Sequence, residues 1–159
     1  MTNTTNEKSK ISLFGIIVYA IQMFFGGWFL LHGANHFVEI FIQPPGSSGP
    51  ARDLITALIS SGLFDLIKAL EVFSGVLLLA NRFVPLGIAT AFPTALVIGY
   101  VNVFMNTDVF GMVVAVVIIA FNTIMVIGLF QYFRPLLRYK TEFPSSEGLK
   151  SYFKELSGK

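Results

Sequence analysis

An all-α integral membrane protein, a four-helix bundle running up-down-up-down with both termini in the cytoplasm, is the fold this sequence predicts. Three observations predict it. The 159 residues are 54% hydrophobic and only 13% charged, against about 25% charged in an ordinary soluble domain. The apolar residues fall in continuous runs of membrane length, not in the alternating pattern of barrel strands. The basic residues, finally, sort to one side of those runs.

Residues 1–10, MTNTTNEKSK, form a polar tail. Behind Lys8 and Lys10 comes the first run, Ser12 to about Phe37. It is too long for a signal-peptide core and no small-x-small cleavage pattern follows it, so it reads as a retained anchor. The stretch QPPGSSGPARD then breaks the helix with proline and glycine. ARDLITALISSGLF is expected to be a short interfacial helix, capped by Asp53 and ending near Gly62.

Three further runs follow, Leu63 to Ala80, Phe83 to Phe104 and Phe110 to Phe133. The connections ANRF and MNTD are short and force antiparallel neighbours. The membrane domain therefore covers residues 11–140, with a cytoplasmic tail over 141–159. In that tail Leu149, Tyr152, Phe153 and Leu156 repeat at i, i+3, i+4, i+7 between Lys150 and Lys154, the pattern of a short helix lying on a membrane surface.

Lys8, Lys10, Arg82, Arg134, Arg138, Lys140, Lys150, Lys154 and Lys159 all fall on one side of this arrangement, and only Arg52 falls in the loops on the other. By the positive-inside rule the first side is cytoplasmic. The net charge of +2 reflects that sorting and gives no sign of nucleic-acid binding. With no cysteine, the chain cannot form a disulfide, offer a thiol nucleophile or supply thiolates to an iron–sulfur cluster.

The polar residues inside the runs carry whatever chemistry there is. At about 100° of rotation per residue, Trp28, His32, Asn35, His36 and Glu39 share one face of the first helix. The second run carries Asp65, Lys68 and Glu71, with Lys68 and Glu71 at i and i+3 and able to pair. The third offers Tyr100, Asn102 and Asn106, the fourth Asn122. Counting about 1.5 Å per residue from the inner boundary sets Gln22, Glu71 and Asn122 at mid-membrane, with Lys68 a turn above. The expected result is one polar column, buried at Glu71 and opening outward at HGANHFVEI, with space provided by a kink at Pro93.

Charged groups at that depth face a bundle interior and are paired, and they mark functional sites. Lys68, Glu71 and His32 are accordingly the candidate catalytic residues. Gln22, Trp28, Asn35, His36, Asn102 and Asn122 are the candidate ligand-binding residues. His32 and His36 have the i, i+4 spacing of two metal ligands on a helix, but no third ligand is fixed, so no metal site is assigned. Nor can both ligate one haem, because residues on one helix face do not reach opposite faces of a ring.

The segments GGWFLLHGANHF and LFDLIKALEVFSGVLLLANRFVPLGI, with four helices in about 160 residues, resemble the DoxX-like family of bacterial inner-membrane proteins over roughly Ile11 to Tyr132. The resemblance implies a four-helix membrane bundle. It also implies a redox association, since the family takes its name from a subunit linked to thiosulfate:quinone oxidoreductase. Lacking cysteine, this chain would need a quinone or a partner protein for electron transfer.

Three functions follow as expectations. In the first, a redox-associated subunit binds a quinone-like or other lipophilic small molecule, Lys68 donating to a quinone oxygen and Glu71 or His32 exchanging the proton. In the second, the chain is a non-catalytic anchor or stabilising partner of another protein, or a homo-oligomer, with Lys68 and Glu71 as internal staples. A transporter is the third; it lacks inverted repeats and a charge path to the inner face.

Overall fold

The structure, a computed structural model, describes residues 12–41, 49–105, 108–137, 139 and 146–157. Lys8, Lys10, Asn106, Arg138, Lys140, Lys159 and most of the Pro- and Gly-rich loop lie outside the described residues, as do the side chains of Leu149 and Tyr152. Every element among the described residues is helical. Helix α1 spans Leu13–Val38, α2 Pro50–Ser60, α3 Leu63–Leu79, α4 Val84–Tyr100, α5 Val109–Gly128, α6 Phe130–Phe133 and α7 Ser146–Ser157.

The boundaries have local causes. Ser12 Oγ accepts from the Gly15 amide and starts α1, while Glu39, in the left-handed region at φ 48, ends it. Gly49 at φ 97 precedes Pro50 in the first turn of α2, so glycine and proline set that start and Asp53 sits inside the first turn. Its carboxylate there still favours the positive end of the helix. Asp108 Oδ2 accepts from the Gly111 amide at 2.8 Å and caps α5.

Two features were not expected from the sequence. The third apolar run continues past α4 as a π-helical turn, Val101–Met105, and the fourth breaks at Leu129, so that α6 and a 3-10 turn over Arg134–Leu137 follow α5. Pro93 lies inside α4 and is exposed, on the outer face of the helix, so it does not supply the space expected of it inside the bundle.

Three helices are long and apolar enough to cross a membrane: Leu13–Val38 with 26 residues, Val84–Met105 with 22 and Val109–Gly128 with 20. Their outer faces carry exposed Phe14, Ile17, Phe92, Leu96, Val113 and Val116, a surface suited to lipid. Helix α3, with 17 residues, packs among them: α1 lies against α3 and α5, and α4 lies against the same two.

The α1–α3 seam is the tightest. A Cβ on Gly75 would sit 2.5 Å from the Leu30 amide nitrogen, and one on Gly26 or Gly33 would come within 2.9 Å of Leu78 Cβ or Glu71 Cβ. Glycine at these points lets the two backbones approach, as small residues do between helices in lipid. The core is filled by Phe25 and Phe29, stacked at 4.3 Å, together with Leu78, Ile88, Ile118 and Met125, against the small Ala91 and Ala95 of α4.

Candidate functional site

Glycine at position 33 presses α1 onto α3 beside Glu71, and the ion pair is built there. Lys68 Nζ donates to Glu71 Oε2 at 2.9 Å. Spacing of three on one helix makes the pair, and burial by α1 seals it: Lys68 is 8% exposed and Glu71 3%. The ammonium also lies 5.2 Å from the Phe64 ring centroid, within cation–π range.

The pair does not end in packed side chains. It borders a chamber of about 160 Å³ lined by Trp28, Phe29, His32, Lys68, Glu71, Ile98, Val114 and Ile118. All four packed helices contribute. Trp28 and His32 lie one turn apart with their rings tilted by 33°, centroids 4.2 Å, and His32 and Phe41 meet edge to face at 5.3 Å. Of the sequence-derived candidates, then, Lys68, Glu71, His32 and Trp28 share one cavity.

His36 is adjacent but faces elsewhere. Its Nε2 meets Asp65 Oδ1 at 2.7 Å between the rings of Phe37 and Phe64. The bond ties the end of α1 to the start of α3. His32 and His36 thus go to different neighbours despite their shared face. Asn35, 4% exposed, clamps the chain leaving α1: its Oδ1 accepts from the Phe41 amide at 2.7 Å and its Nδ2 donates to the Phe41 carbonyl at 2.8 Å.

The remaining candidates lie outside the chamber. Gln22 Nε2 donates to the Leu78 carbonyl at 2.8 Å and to Asn81 Oδ1 at 3.1 Å, at the far end of α3. The α1–α3 register places Gly33 opposite Glu71 and Gly26 opposite Leu78. Gln22 is therefore about 16 Å along α1 from the level of Glu71, not beside it. The expected single column is two separate polar clusters.

Asn102 Nδ2 donates to the Ile98 carbonyl of its own helix, a local bond that satisfies the amide where α4 passes into the π turn. Asn122 is 1% exposed one turn beyond Ile118, and its amide atoms have no hydrogen-bond partner among the described residues. Asn122, a ligand-binding candidate from the sequence, does not line the chamber.

Ser74 and Thr90 were not singled out from the sequence. Ser74, fully buried, meets Thr90 Oγ1 at 2.8 Å and joins α3 to α4. One hydroxyl donates to the other, and the accepting one keeps its proton for a carbonyl of its own helix, Leu70 for Ser74 or Leu86 for Thr90; small hydroxyl residues in apolar runs carry no periodic signal.

Comparison with protein-family models, curated proteins and solved structures finds no match. The DoxX-like resemblance accordingly rests on the residues quoted for it and on nothing further.

Proposed function

We propose that this chain is a four-helix protein of a bacterial inner membrane, α3 being the fourth span, and that it binds a quinone-like or other lipophilic ring as a redox-associated subunit. One observation supports the binding role above the others: the buried Lys68–Glu71 pair opens onto space. A pair that only fixed helix register would be better packed on all sides, because unfilled volume beside it costs dispersion energy. A cavity of about 150 Å³ accepts a benzene ring, so one six-membered ring fits a chamber of about 160 Å³.

The chemistry available there is specific. An ammonium has three donors, and Lys68 uses one on Glu71, leaving donors for a ring oxygen. Glu71 can take or release a proton beside it, and His32 lines the same chamber. Electrons would come from a partner protein; with no cysteine the chain itself offers neither a thiol relay nor thiolate ligands for an iron–sulfur cluster. The choice of a quinone over another lipophilic ring derives from the family resemblance, whereas the cavity requires only a small ring with polar atoms.

Protein extracted in mild detergent should carry a lipophilic molecule in equimolar amount by native mass spectrometry. Lys68→Met/Glu71→Gln, which leaves no unpaired charge, should lose it while remaining folded and monodisperse. Ligand-free parent protein that copurifies with another polypeptide would instead favour the anchoring role.

The proposed orientation has both ends in the cytoplasm, because basic residues cluster on the side of Arg82 and Arg134 while Arg52 lies on the other. A periplasm-dependent reporter fused after Lys159 should stay inactive; activity there would reverse the topology.

A further inference from the structure

A second cavity adjoins the chamber. It measures about 120 Å³ and lies between α1 and α5, where Phe24, Phe25, Val113, Val117 and Phe121 contribute an entirely apolar lining. Trp28, Val114 and Ile118 line both spaces. Polar side chains thus line only the first space, at Lys68, Glu71 and His32, and the second is hydrocarbon throughout. Phe24, Val113 and Val117 are exposed on the surface that faces lipid.

This seam differs from its neighbour. Along α1–α3, glycines bring backbone to backbone, with no room for a chain between them. At α1–α5 glycine makes a close contact only where Gly128 meets Val18; at the level of Trp28 the contacts are between large side chains, such as the edge-on Phe24 and Phe121 rings at 5.8 Å, and space remains. Any lipophilic molecule reaching Lys68 and Glu71 by this route would pass Trp28.

We infer that the α1–α5 groove seats the hydrocarbon tail of the ligand whose polar ring occupies the chamber, so that the ligand is an amphipathic molecule with one ring and a tail, admitted sideways from the bilayer. The inference rests on the chamber being the ring site. The adjacency of the two spaces, which share Trp28, Val114 and Ile118 as lining, carries it. Lipid is as apolar as the groove, so the tail adds little affinity; it fixes the path and the orientation of the ring.

The test uses a benzoquinone bearing a decyl chain and the same headgroup without the chain. Binding to the full chain in detergent is followed by quenching of Trp28, the single tryptophan. Val117→Phe, with Val113→Phe as a second variant, fills the groove from its lipid-facing rim, where a larger apolar residue is tolerated. Overpacking of this kind should weaken the tailed quinone about ten-fold or more and leave the tail-less one unchanged. Lys68→Met/Glu71→Gln should weaken both.

If both Phe variants bind the tailed quinone as the parent does, or weaken the two quinones equally, the tail site is overturned. The ring site stands in that case provided binding still depends on Lys68 and Glu71. If neither quinone quenches Trp28 in the parent, the ring site fails for quinones and the tail site falls with it.

Discussion

Lys68→Met is expected to destabilise the folded protein by about 3 to 5 kcal/mol, the cost of leaving one member of a buried ion pair without its partner. Methionine keeps most of the length of the lysine stem, so little packing is lost. What disappears is the cation 2.9 Å from Glu71 Oε2 and 5.2 Å from the Phe64 ring. The carboxylate then remains at 3% exposure with no compensating charge. Adding Glu71→Gln removes that charge, and the double variant should recover much of the loss despite carrying one more substitution. Unfolding of both variants in detergent, by heat or denaturant, decides the matter: equal stability of single and double variant would show that the two residues are not coupled.

Gly75→Ala should be the most damaging single methyl group among the glycine positions. In a helix interior the exchange normally gains up to about 1 kcal/mol. At Gly75 the added Cβ would lie 2.5 Å from the Leu30 nitrogen and 2.8 Å from both the Gly26 oxygen and Leu30 Cα. These are backbone atoms and no rotamer change moves them away. The helices must separate, at about 1 to 3 kcal/mol for overpacking. Separation would also draw Gly33 off Glu71 and loosen the chamber wall. Gly27→Ala is the control, because nothing lies within 4 Å of its Cβ position; it should be neutral or slightly stabilising. Equal melting temperatures for the two alanine variants would mean that the seam tolerates bulk.

What could be read from the sequence was what depends on near neighbours. Span-length apolar runs are properties of composition, and Lys68 with Glu71 follows from helical spacing alone. His32 and Trp28 turning toward the pair follows from the same periodicity. Gln22 shows where such reading ends. Depth counted from an assumed membrane boundary put it level with Glu71, but depth is fixed by register, and Gly26, Gly33 and Gly75 set register so that Gln22 meets Leu78 and Asn81.

Asn35 and Asn102 illustrate a second limit. A helical wheel aims both at a site, whereas each amide is satisfied by nearby backbone, Asn35 at Phe41 and Asn102 at Ile98. Short polar side chains have that option at every helix end. The π turn was invisible because its five residues, VNVFM, look like ordinary apolar helix. Pro93 was visible as a helix perturbation, but its rotational position, outward, was not.

The dependence of α3 on α1 has a consequence for how the chain reaches its membrane. With 17 residues and three ionisable side chains, Asp65, Lys68 and Glu71, α3 is a poor candidate for independent insertion. What it lacks, α1 supplies: His36 for Asp65, Gln22 for the carbonyl of Leu78, and bare glycine backbone around Glu71. Synthesis delivers α1 first, so a receptor for α3 already stands in the bilayer when those charges emerge. On the proposed four-span arrangement, chain order is then part of the fold: a circular permutant that delivered α3 ahead of α1 would present its charges to lipid with nothing to receive them.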